Sequence, residues 1–303
     1  MTRPTSATSS LPVLLTTADL VVSGLRPSLV KHPAIVLDDA DVTNPEVLLR
    51  LAARLGVRPR QEYEAFAARQ VLAPGVYGPL PWPATDPMCT HHAGSYLNRS
   101  ADVVLVACLE APDSGGETGL VDTTLMLDRL APDLVAGFDD GWRLDRTYSD
   151  LLGTPLEKSF GSSDRDAIER YCDQAEVSYS WDADGTLHTS QLRKAIHHHP
   201  DTGARCWFNE IAFLNRSTLD ETIREYLEQM LGVQNLPYDT HHADGHDVEA
   251  DVVEQINAAY QSLLQLVDWK AGRVLLLDNR RVGHSRQPYQ GRRKLMVLQG
   301  NWS

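Results

Sequence analysis

Six consecutive apolar residues, Val103-Val104-Leu105-Val106-Ala107-Cys108, do most to limit what this chain can fold into. A run that short, bounded by turn residues, reads as a core strand rather than a membrane span or a one-sided helix. Pro112-Asp113-Ser114-Gly115-Gly116-Glu117-Thr118 supplies the turn behind it. Pro33-Ala34-Ile35-Val36-Leu37 is a similar β-type run, and residues 273–277 and 294–299 return to strands near the C-terminus. Asn44-Pro45-Glu46 places a capping residue, a first-turn proline and an acid ahead of the helical Leu48/Leu49/Leu51/Leu55 pattern. Residues 125–137, 164–175, 221–231 and 252–266 carry helical spacing, 177–181 reads as a strand entering a turn, and the Pro/Gly-rich stretch 70–90 reads as a loop. Strand-rich ends around a helical middle predict an α+β fold with helices packed outside a double-sheet barrel.

The 303 residues suit one domain with a sizeable core, so residues 1–10 are expected to form a flexible tail and 11–303 a single catalytic domain. A formal charge of −13 repels polyphosphates at long range, which argues against a nucleic-acid polymer or an anionic membrane as partner and leaves a small-molecule substrate. One phosphate can still be held by a few local arginines. Cys89, Cys108, Cys172 and Cys206 lack CxxC pairing and are expected to be reduced thiols. With no basic start followed by an apolar stretch and no uninterrupted apolar segment of spanning length, a cytoplasmic location is expected.

Eleven histidines make any one of them weak evidence of chemistry. His91, in Thr90-His91-His92-Ala93-Gly94-Ser95-Tyr96, and His284, in Asp278-Asn279-Arg280-Arg281-Val282-Gly283-His284, sit on short segments bordering strands. From the residues alone they are metal ligands or ordinary loop histidines.

Four ordered blocks decide between those readings. HHAGSYLN, APDSGGETGLVD, HPDTGARCWFNEIAFLN and WKAGRVLLLDNRRVGHSRQPYQGRRKLMV resemble the TauD/TfdA superfamily of Fe(II)/2-oxoglutarate-dependent dioxygenases, especially its amino-acid-hydroxylase-like branch, from about residue 85 to the C-terminus. The resemblance implies a double-stranded β-helix (jelly-roll, cupin-like) core with flanking helices, and Fe(II), 2-oxoglutarate and O2 as cofactors, with His91 and His284 as iron ligands. It makes Thr118 a hydrogen-bonding partner of 2-oxoglutarate and gives that co-substrate's far carboxylate to Arg293. Strand alternation sends the adjacent Arg292 outward.

The chain departs from the family at Ala93, where members carry Asp or Glu. A superfamily halogenase shows the same loss as HxA or HxG, with chloride in the vacated position, and small residues at Ala93 and Gly94 leave room for the anion. Pairing His92 with Gly94 is an alternative register with the same implication. The expected activity is chlorination of an unactivated carbon of a free small molecule in natural-product biosynthesis, with a deoxyadenylate-type nucleotide preferred and an amino acid next. A hydroxylase with an atypical ligand set and an inactive binding protein are the alternatives.

Other features read as structural. His197-His198-His199 cannot all face one ion from an extended segment. His241-His242 reads as a loop, and Asp247 as a helix cap. Trp207-Phe208-Asn209 are candidates to line the cavity, and Arg280 or Arg286 to meet an anionic group.

Overall fold

The structure, a computed structural model, describes residues 11–61, 64–149 and 153–303. The expected tail at 1–10 lies outside the described residues.

The apolar run sits within Val103–Glu110, in the middle of an eight-stranded sheet, where it pairs antiparallel with Val274–Asp278 on one side and Lys294–Trp302 on the other. It needs no polar alternation because both of its faces are covered. Val103, Leu105 and Ala107 pack with Leu20, Leu29 and Leu48 of the helices Thr17–Ser23, Leu25–Lys31 and Pro45–Arg54. Val104, Val106 and Cys108 pack instead with Leu120, Val267 and Val282 of a second sheet. Ala34–Leu37 extends the first sheet, and its parallel pairing with Val13–Leu15 is possible because two helices bridge the strands. Asn44 caps the third helix by accepting from the Val47 N–H at 3.0 Å.

The second sheet runs Gln265–Val267, Thr118–Asp122, Val282–Arg286, Met88–His91. Packed face to face, the two sheets form the double-stranded β-helix core of an α+β fold. His91, Ala93, Gly94, Thr118 and His284 belong to the second sheet or to the turn leaving it, and Arg293 immediately precedes the first sheet's strand Lys294–Trp302.

The middle of the chain differs from expectation. It contains a third, antiparallel sheet of Ser178–Trp181, Leu187–Arg193, Trp142–Tyr148 and Tyr238–His242. Trp142 and Leu144 enter a core while Arg143 and Asp145 stay partly exposed, an alternation that dilutes the apolar signal. His241 and His242 therefore end a strand instead of forming a loop. The 70–90 stretch likewise holds Val71–Ala73, Val76–Tyr77 and Met88–His91. The helical pattern at 125–137 breaks into Met126–Asp128 and Pro132–Ala136, because a proline lacks the N–H to continue a helix. Asp247 does not cap a helix; it pairs with Arg216 at 2.5 Å, and Ala250–Leu263 starts at Glu249 without a side-chain cap.

Candidate metal and co-substrate site

Antiparallel pairing of Met88–His91 with Val282–Arg286 sets His91 directly opposite His284, with ring centroids 4.5 Å apart. The His91 Nδ1 is 3.0 Å from the Cys89 carbonyl, and since a carbonyl only accepts, Nδ1 carries the proton and Nε2 keeps its lone pair. Phe213 stacks on the same ring at 4.2 Å and fixes its plane. His284 has a buried Nδ1 with no hydrogen-bond partner among the described residues. Burial pushes the His91 imidazole down to about 4 and the His284 imidazole well below its ordinary value, chiefly by desolvation. Two neutral imidazoles with free lone pairs, facing each other at a cavity wall, suit a divalent metal.

His92 points elsewhere. Its Nδ1 lies 2.8 Å from the Asn279 carbonyl and its Nε2 3.2 Å from the Trp207 carbonyl, so both ring nitrogens are turned to backbone carbonyls and neither is aimed at a ligand in the cavity. The register that pairs His92 with Gly94 thus lacks a donor. Ala93 is buried at the cavity wall, and Asn279 grips its backbone from both sides. The Ala93 N–H donates to Asn279 Oδ1 at 2.9 Å, and Asn279 Nδ2 donates to the carbonyls of Ala93 (3.0 Å) and Ala101 (2.9 Å). Gly94 adopts φ +64°, a conformation open to glycine at little penalty.

Thr118 and Arg293 line the same cavity. Thr118 Oγ1 accepts from Trp269 Nε1 at 3.2 Å, which leaves its own hydroxyl proton to donate. Arg293 is steadied by the Gly116 carbonyl, 3.2 Å from its Nε, and by the Tyr289 ring, 5.6 Å from its guanidinium carbon. A side chain at Gly116 would come within 3.2 Å of Arg293 Cδ, so the glycine clears space for the arginine. Burial, reinforced by repulsion from Arg286, pushes the Arg293 guanidinium down to about 10, and no acid pairs with it among the described residues. Arg292 turns out to solvent, 84% exposed.

One carboxylate that the sequence reading missed does reach the cavity. Glu210 Oε1 accepts from the Ser95 N–H at 3.0 Å, and burial pushes its carboxyl up to about 8 against the pull of Ser95 and Gly94. It is not placed to complete a metal trio: among the described residues no three His, Cys, Asp or Glu side chains come together as a metal cage. Trp207, Phe208 and Asn209 do not line the cavity; Trp207 and Phe208 are buried elsewhere, and Asn209 Nδ2 bonds the Ala195 carbonyl. Arg280 is bound to the Ser100 carbonyl, and Arg286, which does line the cavity, donates to the carbonyls of Pro83 and Asp86. His199 belongs to the scaffold, with Nε2 2.7 Å from Asp278 Oδ2 beneath the turn that carries Asn279.

The sequence profile described as "Taurine catabolism dioxygenase TauD, TfdA family" matches residues 6–299. The dapdiamide synthesis protein DdaC of Enterobacter agglomerans is 28% identical over 235 residues, covering 77% of this chain and 71% of that protein. A clavaminate synthase-like protein of Arabidopsis thaliana is 23% identical over 218 residues, 68% of this chain and 63% of its own length. Among solved structures, asparagine oxygenase in complex with Fe(II), 2S,3S-3-hydroxyasparagine and succinate superposes with a TM-score of 0.55 at 14% identity, over 94% of this chain and 79% of that one. A taurine dioxygenase from Burkholderia xenovorans gives 0.52 at 17% identity, over 96% and 87%.

Proposed function

The chain belongs to the TauD, TfdA family of Fe(II)/2-oxoglutarate-dependent oxygenases, and from that premise we propose that it is a halogenase that chlorinates an unactivated carbon of a free small molecule. The observation that carries the reading is Ala93, a methyl group at the cavity wall where the family's pattern supplies a carboxylate. His91 and His284 fit as the metal's protein ligands, because both are held neutral and His284 has an orphaned ring nitrogen. When bound, Fe(II) with 2-oxoglutarate and O2 supplies the oxidising power to remove hydrogen from an unactivated carbon.

The protein's own groups position the reactants. Arg293 receives the far carboxylate of 2-oxoglutarate in a water-poor recess where a planar guanidinium can bind it through two hydrogen bonds. Thr118 donates its hydroxyl proton to the same molecule, oriented by Trp269. Phe66, Leu80, Trp82 and Leu97 give the remaining wall an apolar surface that excludes water from the reacting carbon. At position 93 no side-chain charge competes with a halide.

The test is turnover with Fe(II), 2-oxoglutarate and chloride on a substrate panel that begins with deoxyadenylate and then free amino acids, read by mass spectrometry. We expect a chlorinated product that disappears without halide, and Ala93→Asp is expected to lower chlorination by at least about a hundredfold while the protein still folds. A hydroxylated product formed equally well without halide overturns the reading in favour of a hydroxylase, and an Ala93→Asp enzyme that chlorinates at the wild-type rate also sinks it. If no substrate consumes oxygen, the binding-protein alternative takes its place.

A further inference from the structure

Arg60 stands at the other end of the cavity wall from Arg293. It follows the strand Val57–Pro59, which pairs with the last residues of Lys294–Trp302, and its N–H donates to the Gln299 carbonyl at 2.8 Å. Arg293 immediately precedes that long strand. Between them Leu295, Val297 and Gln299 line the cavity, the alternate residues that one face of a strand presents. Six residues at roughly 3.3 Å each set the two arginines about 20 Å apart along the wall.

The guanidinium of Arg60 is not fully met by the described residues. Its Nη1 is buried with no hydrogen bond among the described residues. Burial pushes its pKa down, Arg280 and Arg99 repel it, and Asp102 is the acid that opposes them. Among the described residues that act most strongly on it are two further guanidiniums and one carboxylate, a locally basic wall in a protein whose net charge is −13. Arg280 is partly engaged with Asp102 at 3.4 Å, so the atom left wanting an acceptor is on Arg60. A half-buried cation without an acceptor is unfavourable until an anion meets it.

We infer that Arg60 anchors a second anion site, which receives a doubly charged oxyanion, the chemistry of a phosphate monoester, borne by the far end of the substrate. The inference rests on the reading above only in reserving Arg293 for the co-substrate. Arg60 fixes one end of the substrate, so the length of the cavity wall decides which carbon lies beside His91 and His284. The apolar residues Phe66 and Trp82 would cover the part in between.

Calorimetric titration of phenyl phosphate into the protein, with 2-oxoglutarate saturating and no turnover, tests this independently of halogenation. Binding is expected to weaken about 30-fold in Arg60→Ala, the loss of charge-assisted hydrogen bonds, and less in Arg60→Lys. It should hold in Arg293→Ala and strengthen from pH 5 to pH 7.5, as the monoester gains its second charge near pH 6. Unchanged affinity in Arg60→Ala overturns the site. Loss in Arg293→Ala alone would put the anion in the co-substrate recess and overturn it too. Benzoate binding as tightly, with the same Arg60 dependence and no rise with pH, would overturn the doubly charged assignment in favour of a carboxylate.

Discussion

The sheet that carries His91 and His284 and the sheet built around Trp142–Tyr148 both place charged side chains out of solvent, and they treat them in opposite ways. In the third sheet the charges are compensated internally. Arg146 donates to the carbonyls of Glu64 (2.6 Å) and Ala65 (3.0 Å) and moderates the buried Glu64 carboxyl, which also accepts from Tyr171 and Gln191. Asp239 is likewise matched by Arg216 at 2.7 Å. At the cavity, Arg293 has one carbonyl and no acid beside it, and His284 Nδ1 has no hydrogen-bond partner, among the described residues. The third sheet also leaves buried atoms unmet, Arg146 Nε and the Tyr148 hydroxyl among them, so the contrast lies in whether an acid or a pair of carbonyls faces each charge, and a charge without one is better suited to a ligand than to a strut.

The largest effect that should follow is on co-substrate binding. Arg293→Ala is expected to weaken 2-oxoglutarate by about 3–5 kcal/mol, more than a hundredfold, because a desolvated carboxylate is left unpaired. Arg292→Ala should change it little, and anaerobic titration of both variants measures the difference. Equal losses would erase the distinction between inward and outward arginine.

Glu210 lies between the two cases, since it is anchored by Ser95 yet borders the cavity. Its carboxyl is raised from 4.5 to about 8, so the folded state holds a proton that the unfolded state releases. Stability should therefore fall as pH climbs through that window, by on the order of 2–3 kcal/mol. Arg146 and Tyr260 are the other titratable groups acting on or with it. Glu210→Gln should flatten most of this slope in denaturant titrations at pH 5 and pH 8, although Glu64 and Asp239, also raised by burial, leave a residue of it. An unchanged slope would mean that Glu210 is ionised in the folded protein.

The smallest effect belongs to the strut. Arg146→Lys keeps the charge but loses the two-pronged grip on Glu64 and Ala65, so a loss of about 1–2 kcal/mol in stability is expected, with 2-oxoglutarate affinity unchanged. A matching loss of co-substrate binding would show the two sheets to be coupled and remove the contrast.

Legibility in the sequence followed the same division. Val103–Cys108 and residues 273–277 could be read because strands covered on both faces become continuous apolar runs. The third sheet could not, since Trp142–Tyr148 alternates apolar side chains with Arg143, Asp145 and a buried Arg146 whose partners come from distant turns. His91, His284, Thr118 and Arg293 stood out through ordered motif blocks, and the fold brings all four to one cavity. Asn279, Glu210 and Arg60 were hidden for another reason. An asparagine in a tight turn normally signals the turn itself, and nothing local reveals that Asn279 reaches across to Ala93. For Arg60 and Glu210 the meaningful fact is a missing or distant partner, which only the tertiary arrangement supplies.

The Asn279 grip on Ala93 also bears on how such a site arises. Because the N–H and carbonyl of residue 93 are both held by another segment, the backbone there is fixed independently of the side chain it carries. A carboxylate and a methyl group can then be exchanged on a common Cα without rebuilding the strand, the turn or the opposing histidine. A change of the middle base alone turns an alanine codon into one for aspartate or glutamate. On this scaffold a carboxylate at position 93 and the methyl group found there are one nucleotide step apart, and the exchange leaves the strand, the turn and the opposing histidine in place.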